Sequence, residues 1–202
     1  MTKNVGIMGG TFNPIHNGHL ALAQAAYEQI CLDKILFMPS GISYLKNGVL
    51  DVRHRINMTS LAIKPYPYFE LSLVEAEREG NTYTSDTLQL LNNHNPTINY
   101  YFIMGADSLF QIESWHEPQI IYSLCTLICA IRDDYDKRAI YEKGKQLKSL
   151  GAKILYLDMP KIDISSTNIR QSVANMIPIS NEVPYEVEQY ILKEKLYYEK
   201  NI

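Results

Sequence analysis

The sequence predicts an α/β protein whose sheet is mostly parallel and carries helices on both faces. Short apolar runs rich in β-branched residues alternate with segments of helical spacing, and a glycine-rich turn joins the first run to the first helix. The chain has 202 residues, of which 46% are hydrophobic and 20% charged, as is usual for a globular protein with a sizeable core. We therefore expect residues 1–202 to form a single domain.

Six apolar runs are predicted to be strands, because each is short and bounded by turn-forming or polar residues. The longest such run, Leu124–Ile131, has eight residues and is far too short to cross a membrane. The first residues lead straight into the first run, so we expect no signal peptide. The predicted strands are Val5–Met8, Lys34–Met38, Phe69–Leu73, Tyr100–Met104, Thr126–Ile131 and Lys153–Leu157.

The segments between these runs are predicted to be helices. In the first of them Leu20, Ala23, Tyr27 and Ile30 follow the three-and-four spacing of an amphipathic helix. The predicted helices are Gly18–Cys31, Val52–Ile63, Ser85–Asn93, Ala106–Ile112, Lys137–Ser149, Thr167–Asn175 and Tyr185–Lys195. Ligands of such sheets bind outside the carboxyl ends of the strands, where the predicted order places the residues after Met8, the loop Pro39–Leu50 and the residues after Met104.

The charge of the chain limits the class of partner, and its cysteines indicate the cellular compartment. The net charge is −3 and no block of Lys and Arg stands out, which argues against a nucleic-acid partner. The three cysteines form no Cys-x-x-Cys pair, and an odd count without a secretion signal indicates a reducing cytoplasm with free thiols. Cys125 and Cys129 lie four apart in the apolar run Leu124–Ile131 and should behave as small apolar residues.

The twelve residues Gly9–Leu20, Gly-Gly-Thr-Phe-Asn-Pro-Ile-His-Asn-Gly-His-Leu, form the most informative segment. Gly9 and Gly10 let the backbone approach a ligand, and the amides of a helix N-terminus favour negative charge. His16 and His19 could there hydrogen-bond a charge that grows during reaction. A zinc pair is the alternative, but helical metal pairs usually stand four apart and no third ligand is evident, so we predict no protein-held metal.

A second candidate phosphate site is Ile164–Arg170, Ile-Ser-Ser-Thr-Asn-Ile-Arg. Ser165 or Ser166 is a natural helix N-cap, and Arg170 follows about one turn later. Amides, hydroxyls and one guanidinium suit a polyphosphate. The alternative is a well-capped structural helix.

Two further segments could bind the rest of a nucleotide. Thr84 is predicted to cap the helix of Leu88, where free amides could hold a carboxylate or a phosphate; a capped surface helix is the alternative. Gly105 ends a strand, Asp107 could accept from ribose hydroxyls, and Trp115 could stack on a flat heterocycle or simply belong to the core.

Together these four segments resemble the bacterial nicotinate mononucleotide adenylyltransferases. Gly9–Leu20 carries the His-x-Gly-His signature of the wider nucleotidyltransferase superfamily, and Ile164–Arg170 resembles its second signature, Ile-Ser-Ser-Thr-x-Ile-Arg. The run from Thr82 to Leu88 and the spacing of Asp107 and Trp115 are similar to the pyridine-nucleotide branch. The resemblance implies a Rossmann-like fold with a C-terminal helical part and transfer of AMP from ATP to nicotinate mononucleotide, with Mg²⁺ bound mainly through the substrate phosphates.

The resemblance also implies roles for individual residues. His16, His19 and Arg170 would be catalytic. The implied ATP-binding residues are Gly9, Gly10, Thr11, Phe12, His16, Gly18, His19, Ile164, Ser165, Ser166 and Arg170. The implied pyridine-nucleotide residues are Lys46, Thr82, Tyr83, Thr84, Gly105, Asp107 and Trp115.

The chain departs from the family pattern at two places. Ser43-Tyr44-Leu45-Lys46 stands where Pro-Pro-His-Lys is common, and Asn13 stands where Asp is frequent. Three alternatives share the signatures or the fold and stay open: an enzyme acting on nicotinamide mononucleotide, one acting on phosphopantetheine, and a nucleotide-binding sensor without turnover. The expected partners are small molecules, with no nucleic acid or membrane, and the sequence leaves a homodimer open.

Overall fold

The computed structural model describes residues 3–41, 49–132 and 136–198, in which six strands form one sheet. The strands are β1 (Lys3–Gly10), β2 (Lys34–Pro39), β3 (Phe69–Leu71), β4 (Ile98–Gly105), β5 (Cys125–Arg132) and β6 (Lys153–Met159). Their order is β3-β2-β1-β4-β5-β6, and every neighbouring pair is parallel. The predicted fold class is confirmed.

The order reverses direction at β1, which lies between β2 and β4. In the register of these strands Ile7 stands opposite Leu36 on one side and Phe102 on the other. Such a reversal opens a crevice at the carboxyl edge of the sheet, where the connections leaving neighbouring strands run to opposite faces. Gly10, at the end of β1, therefore marks the expected ligand position.

Helices cover both faces of the sheet. They are α1 (Asn17–Ile30), α2 (Val52–Ile63), α3 (Thr84–His94), α4 (Ala106–Gln111), α5 (Pro118–Leu124), α6 (Lys137–Ser149), α7 (Ser166–Ala174) and α8 (Tyr185–Lys193). The core on one face receives apolar side chains from α1, α2, α7 and α8, and the core on the other receives them from α3, α4, α5 and α6. The C-terminal helical part, α7 and α8, is thus packed on the same face as α1.

The structure contains one helix that the sequence prediction lacks. A 3₁₀ turn, Ile112–Ser114, follows α4, and α5 lies where no helix was predicted. Pro118 suits the first turn of α5 because its missing N–H would have no helical partner there. The apolar residues of α5 continue directly into β5, so the sequence shows one apolar run where the structure has two elements.

The cysteines behave as expected. Cys125 and Cys129 are buried in β5, and burial raises the pKa of each thiol to about 12, so both stay protonated at neutral pH. Cys31 is exposed, and all three are free thiols. Among the described residues no helix is long and apolar enough to cross a membrane.

Candidate active site

Donors from two other elements hold the loop between β1 and α1, residues 11–16, which we call the β1–α1 loop. Arg170 Nη1 donates to the Asn13 carbonyl at 2.9 Å, and Ser166 Oγ donates to the Pro14 carbonyl at 2.9 Å. Arg55 Nη1, from α2, donates to the Thr11 carbonyl at 2.8 Å. The structure thus brings Arg170 and Ser166 onto the loop that leads into His16 and α1.

The two histidines stand face to face at the start of α1. The rings of His16 and His19 stack with centroids 3.6 Å apart, and the edge of Phe12 meets the His19 ring at 5.1 Å. The backbone N–H of His16 donates to Nδ1 of His19 at 3.2 Å. This bond places the proton of a neutral His19 ring on Nε2, which makes that nitrogen a hydrogen-bond donor.

His16 is the more buried of the pair, with 7% of its surface exposed. Desolvation lowers the pKa of His16 from 6.5 to about 4, so its imidazole is neutral at physiological pH. Gly18 provides room for this ring, because a Cβ there would lie 3.0 Å from His16 Nδ1. A neutral imidazole donates through one nitrogen only and carries no positive charge until an anion raises its pKa.

The lowered pKa of His16 predicts how stability depends on pH. Between pH 6.5 and about 4 the unfolded chain binds a proton at His16 that the folded protein does not, so stability falls on acidification across this window. Relative to His16→Gln, the wild-type free energy of unfolding should fall by about 2 kcal/mol more between pH 7.5 and 4.5. Urea titrations at both pH values measure this difference, and equal falls would contradict it.

The start of α7 is capped as predicted. Ser165 is the N-cap, and its Oγ accepts from the backbone N–H of Asn168 at 3.1 Å. Ser166 is the first helical residue and uses its hydroxyl on Pro14, while Ile164 packs against the core of the same face. The positive ends of α1 and α7 therefore meet across the β1–α1 loop, which is the electrostatic arrangement that binds phosphate.

The prediction that Thr84 caps α3 is wrong. Tyr83 is the N-cap, its own side chain makes no capping hydrogen bond, and Thr84 is the first helical residue. A cap needs extended backbone, which Tyr83 adopts with φ −112° and ψ 140°. The first-turn amides of α3 thus lack a side-chain cap, and Arg78 Nη2 holds the Tyr83 carbonyl at 3.4 Å.

The segment around Trp115 lies beside the start of α3. The ring of His116 lies against Tyr83, with centroids 4.2 Å apart. Trp115 is half-buried and meets Phe102 of β4 edge-on at 5.9 Å, so it both packs against the core and presents surface. The two interpretations of this tryptophan are therefore compatible.

The carboxyl end of β4 borders open space. A Cβ built on Gly105 would meet no atom within 4 Å, and Asp107 is exposed in the first turn of α4. Gly10, unlike Gly105, is closely packed, because a Cβ there would lie 2.9 Å from the Phe12 ring. Phe12 itself is 2% exposed and packs in the core, so it would contact a nucleotide only through its backbone.

One residue of the predicted site, Lys46 in the Pro39–Leu50 loop, lies outside the described residues. Asp86, His116 and Glu117 bring three ligand-type atoms within 4.8 Å of one another among the described residues. We assign no metal to them, because these side chains are half-buried or exposed and such surface groups commonly approach each other without an ion.

Sequence reasoning missed two residues that contact this site. Arg55 is buried beneath the β1–α1 loop, and Tyr197, after α8, donates its hydroxyl to Asn13 Oδ1 at 2.8 Å. Neither belongs to a recognisable motif. The one signal of these contacts in the sequence is Asn13, which stands where Asp is frequent in the family. In the structure its side-chain oxygen accepts from the hydroxyl of the buried Tyr197.

The chain is similar in sequence to proteins of a known family. A profile of the cytidylyltransferase-like family matches residues 7–172. The probable nicotinate-nucleotide adenylyltransferase of Lachnoclostridium phytofermentans is 42% identical over 198 residues, which cover 96% of this chain and 99% of that protein. The protein of the same description from Thermoanaerobacter sp. is 39% identical, with 96% and 93% covered.

A solved structure shares the fold. The nicotinic acid mononucleotide adenylyltransferase of Plasmodium falciparum, complexed with NaAD, superposes with a TM-score of 0.80 at 23% identity, covering 97% of this chain and 98% of that one. The likeness extends over the whole sheet and its helices. With the profile match and the identity to the bacterial proteins, this chain belongs to the cytidylyltransferase-like family, among its nicotinate-nucleotide adenylyltransferases.

Proposed function

We propose that this chain transfers AMP from ATP to nicotinate mononucleotide, forming nicotinate adenine dinucleotide and pyrophosphate in NAD biosynthesis. One observation carries the reaction class: Arg170 and Ser166 bind the carbonyls of the loop that ends in His16, at the point where the strand order reverses. The family relatives support the identity of the acceptor.

The reaction needs no nucleophile from the protein. A phosphate oxygen of nicotinate mononucleotide attacks the α-phosphorus of ATP, the bond between that phosphorus and its bridging oxygen breaks, and pyrophosphate leaves in line. The protein acts by positioning and by stabilising charge. His19, through Nε2–H, and His16 donate to the reacting phosphates, while Arg170 and the first-turn amides of α7 stabilise the leaving pyrophosphate.

Mg²⁺ would neutralise charge on the phosphates. The side chains that bond to the β1–α1 loop from other elements are donors: Arg170, Ser166, Arg55 and Tyr197. Mg²⁺ is therefore expected to bind through the substrate phosphates and to keep several waters. The remaining proposed contacts to ATP are Gly9, Gly10, Thr11, Phe12, Gly18, Ile164 and Ser165.

The pyridine nucleotide would bind between α3 and the Trp115 segment. Trp115 would stack on the ring, Asp107 would accept from ribose hydroxyls, and Gly105 would allow close approach at the end of β4. The uncapped amides of Thr84 and its neighbours would hold the nicotinate carboxylate. Thr82, Tyr83 and Lys46 complete the proposed set.

We predict a preference for the acid over the amide. A helix N-terminus without a side-chain cap favours an anion, and an uncharged carboxamide gains less there. Since a charge at a helix end contributes about 0.3–2 kcal/mol, kcat/KM should be about 2–30 times higher for nicotinate mononucleotide than for nicotinamide mononucleotide. Steady-state rates with both acceptors measure the ratio, and equal values would remove the claim.

One assay decides among the alternatives. ATP and Mg²⁺ are offered with nicotinate mononucleotide, nicotinamide mononucleotide or phosphopantetheine, and pyrophosphate release is recorded. We expect the fastest release with nicotinate mononucleotide. Release only with phosphopantetheine would identify a different acceptor, and ATP binding without release from any of the three would identify a sensor.

Three broader proposals accompany the activity. Residues 1–202 form one domain, whose cooperative unfolding would show a single transition. The free thiols support a reducing cytoplasm. The exposed apolar side chains of Met176, Ile177 and Tyr185, at 84%, 55% and 68%, support a homodimer, which light scattering would test.

A further inference from the structure

Arg55 is a buried cation, and its role differs from that of a residue that binds the phosphates of a substrate. It projects from α2 and is 2% exposed. Among the described residues no carboxylate forms an ion pair with it. A buried charge must be satisfied by hydrogen bonds, and the burial of Arg55 at the edge of the β1–α1 loop therefore calls for an explanation.

The guanidinium binds four backbone carbonyls. Nη1 donates to Thr11 at 2.8 Å and to Ser40 at 2.7 Å, Nη2 donates to Gly41 at 3.1 Å, and Nε donates to Leu50 at 3.0 Å. Thr11 belongs to the β1–α1 loop, whereas Ser40 and Gly41 follow β2. A single planar group thus fixes the separation of two chain segments at the carboxyl edge of the sheet.

The contacts continue from Gly41 toward the start of α3. A Cβ at Gly41 would lie 2.5 Å from the Glu75 carbonyl oxygen, so the two backbones pack directly. The buried carboxyl group of Glu75 bonds with Thr87 Oγ1 at 2.9 Å, and that hydroxyl lies 3.1 Å from the Tyr83 carbonyl, the N-cap of α3. Arg55 therefore stands at the junction between the proposed ATP side and the proposed acceptor side.

We propose that Arg55 is a positioning residue for adenylyl transfer, holding the β1–α1 loop and the Ser40–Gly41 segment at the separation that aligns the two substrates. This inference rests on the proposed function. Arg55 acts through backbone carbonyls and touches neither substrate. In-line transfer depends on the alignment of the attacking oxygen with the α-phosphorus, so a small change in separation should affect the transition state more than ground-state binding.

Arg55→Lys tests the proposal, because lysine keeps the charge but lacks the planar fork that reaches all four carbonyls. We expect kcat to fall by about 10²-fold with KM for ATP changed much less, since misplacement of about 1 Å has that effect on rate. Hydrogen–deuterium exchange of residues 11–16 should increase. The matched control is Arg53→Lys, the same exchange at the exposed arginine of α2, which pairs with Asp51.

Gly41→Ala provides a second variant should Arg55→Lys fail to fold. It leaves the guanidinium intact but forces the Gly41 backbone away from Glu75, so kcat should fall in the same way. The proposal is overturned if both folded variants keep kcat within about threefold of wild type, or if Arg53→Lys loses as much kcat as Arg55→Lys. If wild-type protein transfers AMP to no acceptor, the proposed function fails, and the exchange of residues 11–16 still decides whether Arg55 holds the loop.

Discussion

His19→Ala is expected to lower kcat for pyrophosphate release by about 10²–10³-fold, the usual effect of removing one preorganised donor from a site of developing charge. The bond from the His16 amide to His19 Nδ1 holds the ring with its proton on Nε2. Alanine removes that donor and the stacking partner of His16. Because His19 is only half-buried, the fold should persist.

Pyrophosphate release at saturating substrates measures the effect, and circular dichroism verifies the fold. His94→Ala is the matched control, since His94 is exposed at the end of α3 and its Nδ1 bonds to the Leu90 carbonyl of the same helix. His19→Gln should recover part of the rate, because its amide can donate from a similar place. A folded His19→Ala protein within about fivefold of wild type would exclude this role.

The glycine-rich turn and both signatures were predictable because their function depends on residue types at short spacing. The paired histidines and the capped start of α7 each lie within seven residues of sequence, and the structure joins them by folding α7 against the β1–α1 loop. The alternation of apolar runs with helical segments was predictable for the same reason, because it also depends on residues that are close in sequence. A parallel sheet buried on both faces produces such continuous runs directly.

The misplaced cap and the missed helix have physical causes. At the start of α3 four consecutive polar or aromatic residues could each precede the helix, and in the structure the N-cap is Tyr83, whose carbonyl accepts from Arg78. Residues Pro118–Leu124 form too short a helix to show a period, and their apolar side chains merge with those of β5. The spacing of residues alone therefore predicts neither the N-cap residue of α3 nor the helix α5.

Arg55 could not be identified for a different reason. In sequence it is one of two arginines in α2, and Arg53 is exposed and paired with Asp51. What distinguishes Arg55 is its burial against carbonyls that lie up to 44 residues away along the chain. Tyr197 is similar, since its bond to Asn13 spans 184 residues. Such contacts appear only once the fold is known.

Arg170→Met is expected to lower kcat/KM for ATP by about 10²-fold or more, since a charge-assisted donor to a phosphate group is lost. In the structure Nη1 holds the Asn13 carbonyl and Nη2 lies 3.4 Å from Thr167 Oγ1, so the guanidinium lies beside the loop and the first turn of α7. Arg170→Lys keeps the charge without the fork and should retain an intermediate activity. Gln171→Ala, exposed on the same helix, is the control.

Two roles of Arg170 must be separated, because holding the Asn13 carbonyl and binding pyrophosphate both affect the rate. Calorimetric titration with pyrophosphate and Mg²⁺ distinguishes them. If Arg170 binds the leaving group, Arg170→Met weakens pyrophosphate binding and reduces its dependence on salt, since one cation no longer contacts the anion. If Arg170 only holds the loop, hydrogen exchange of residues 11–16 increases while pyrophosphate binds with unchanged affinity, and the proposed stabilisation of the leaving group is wrong.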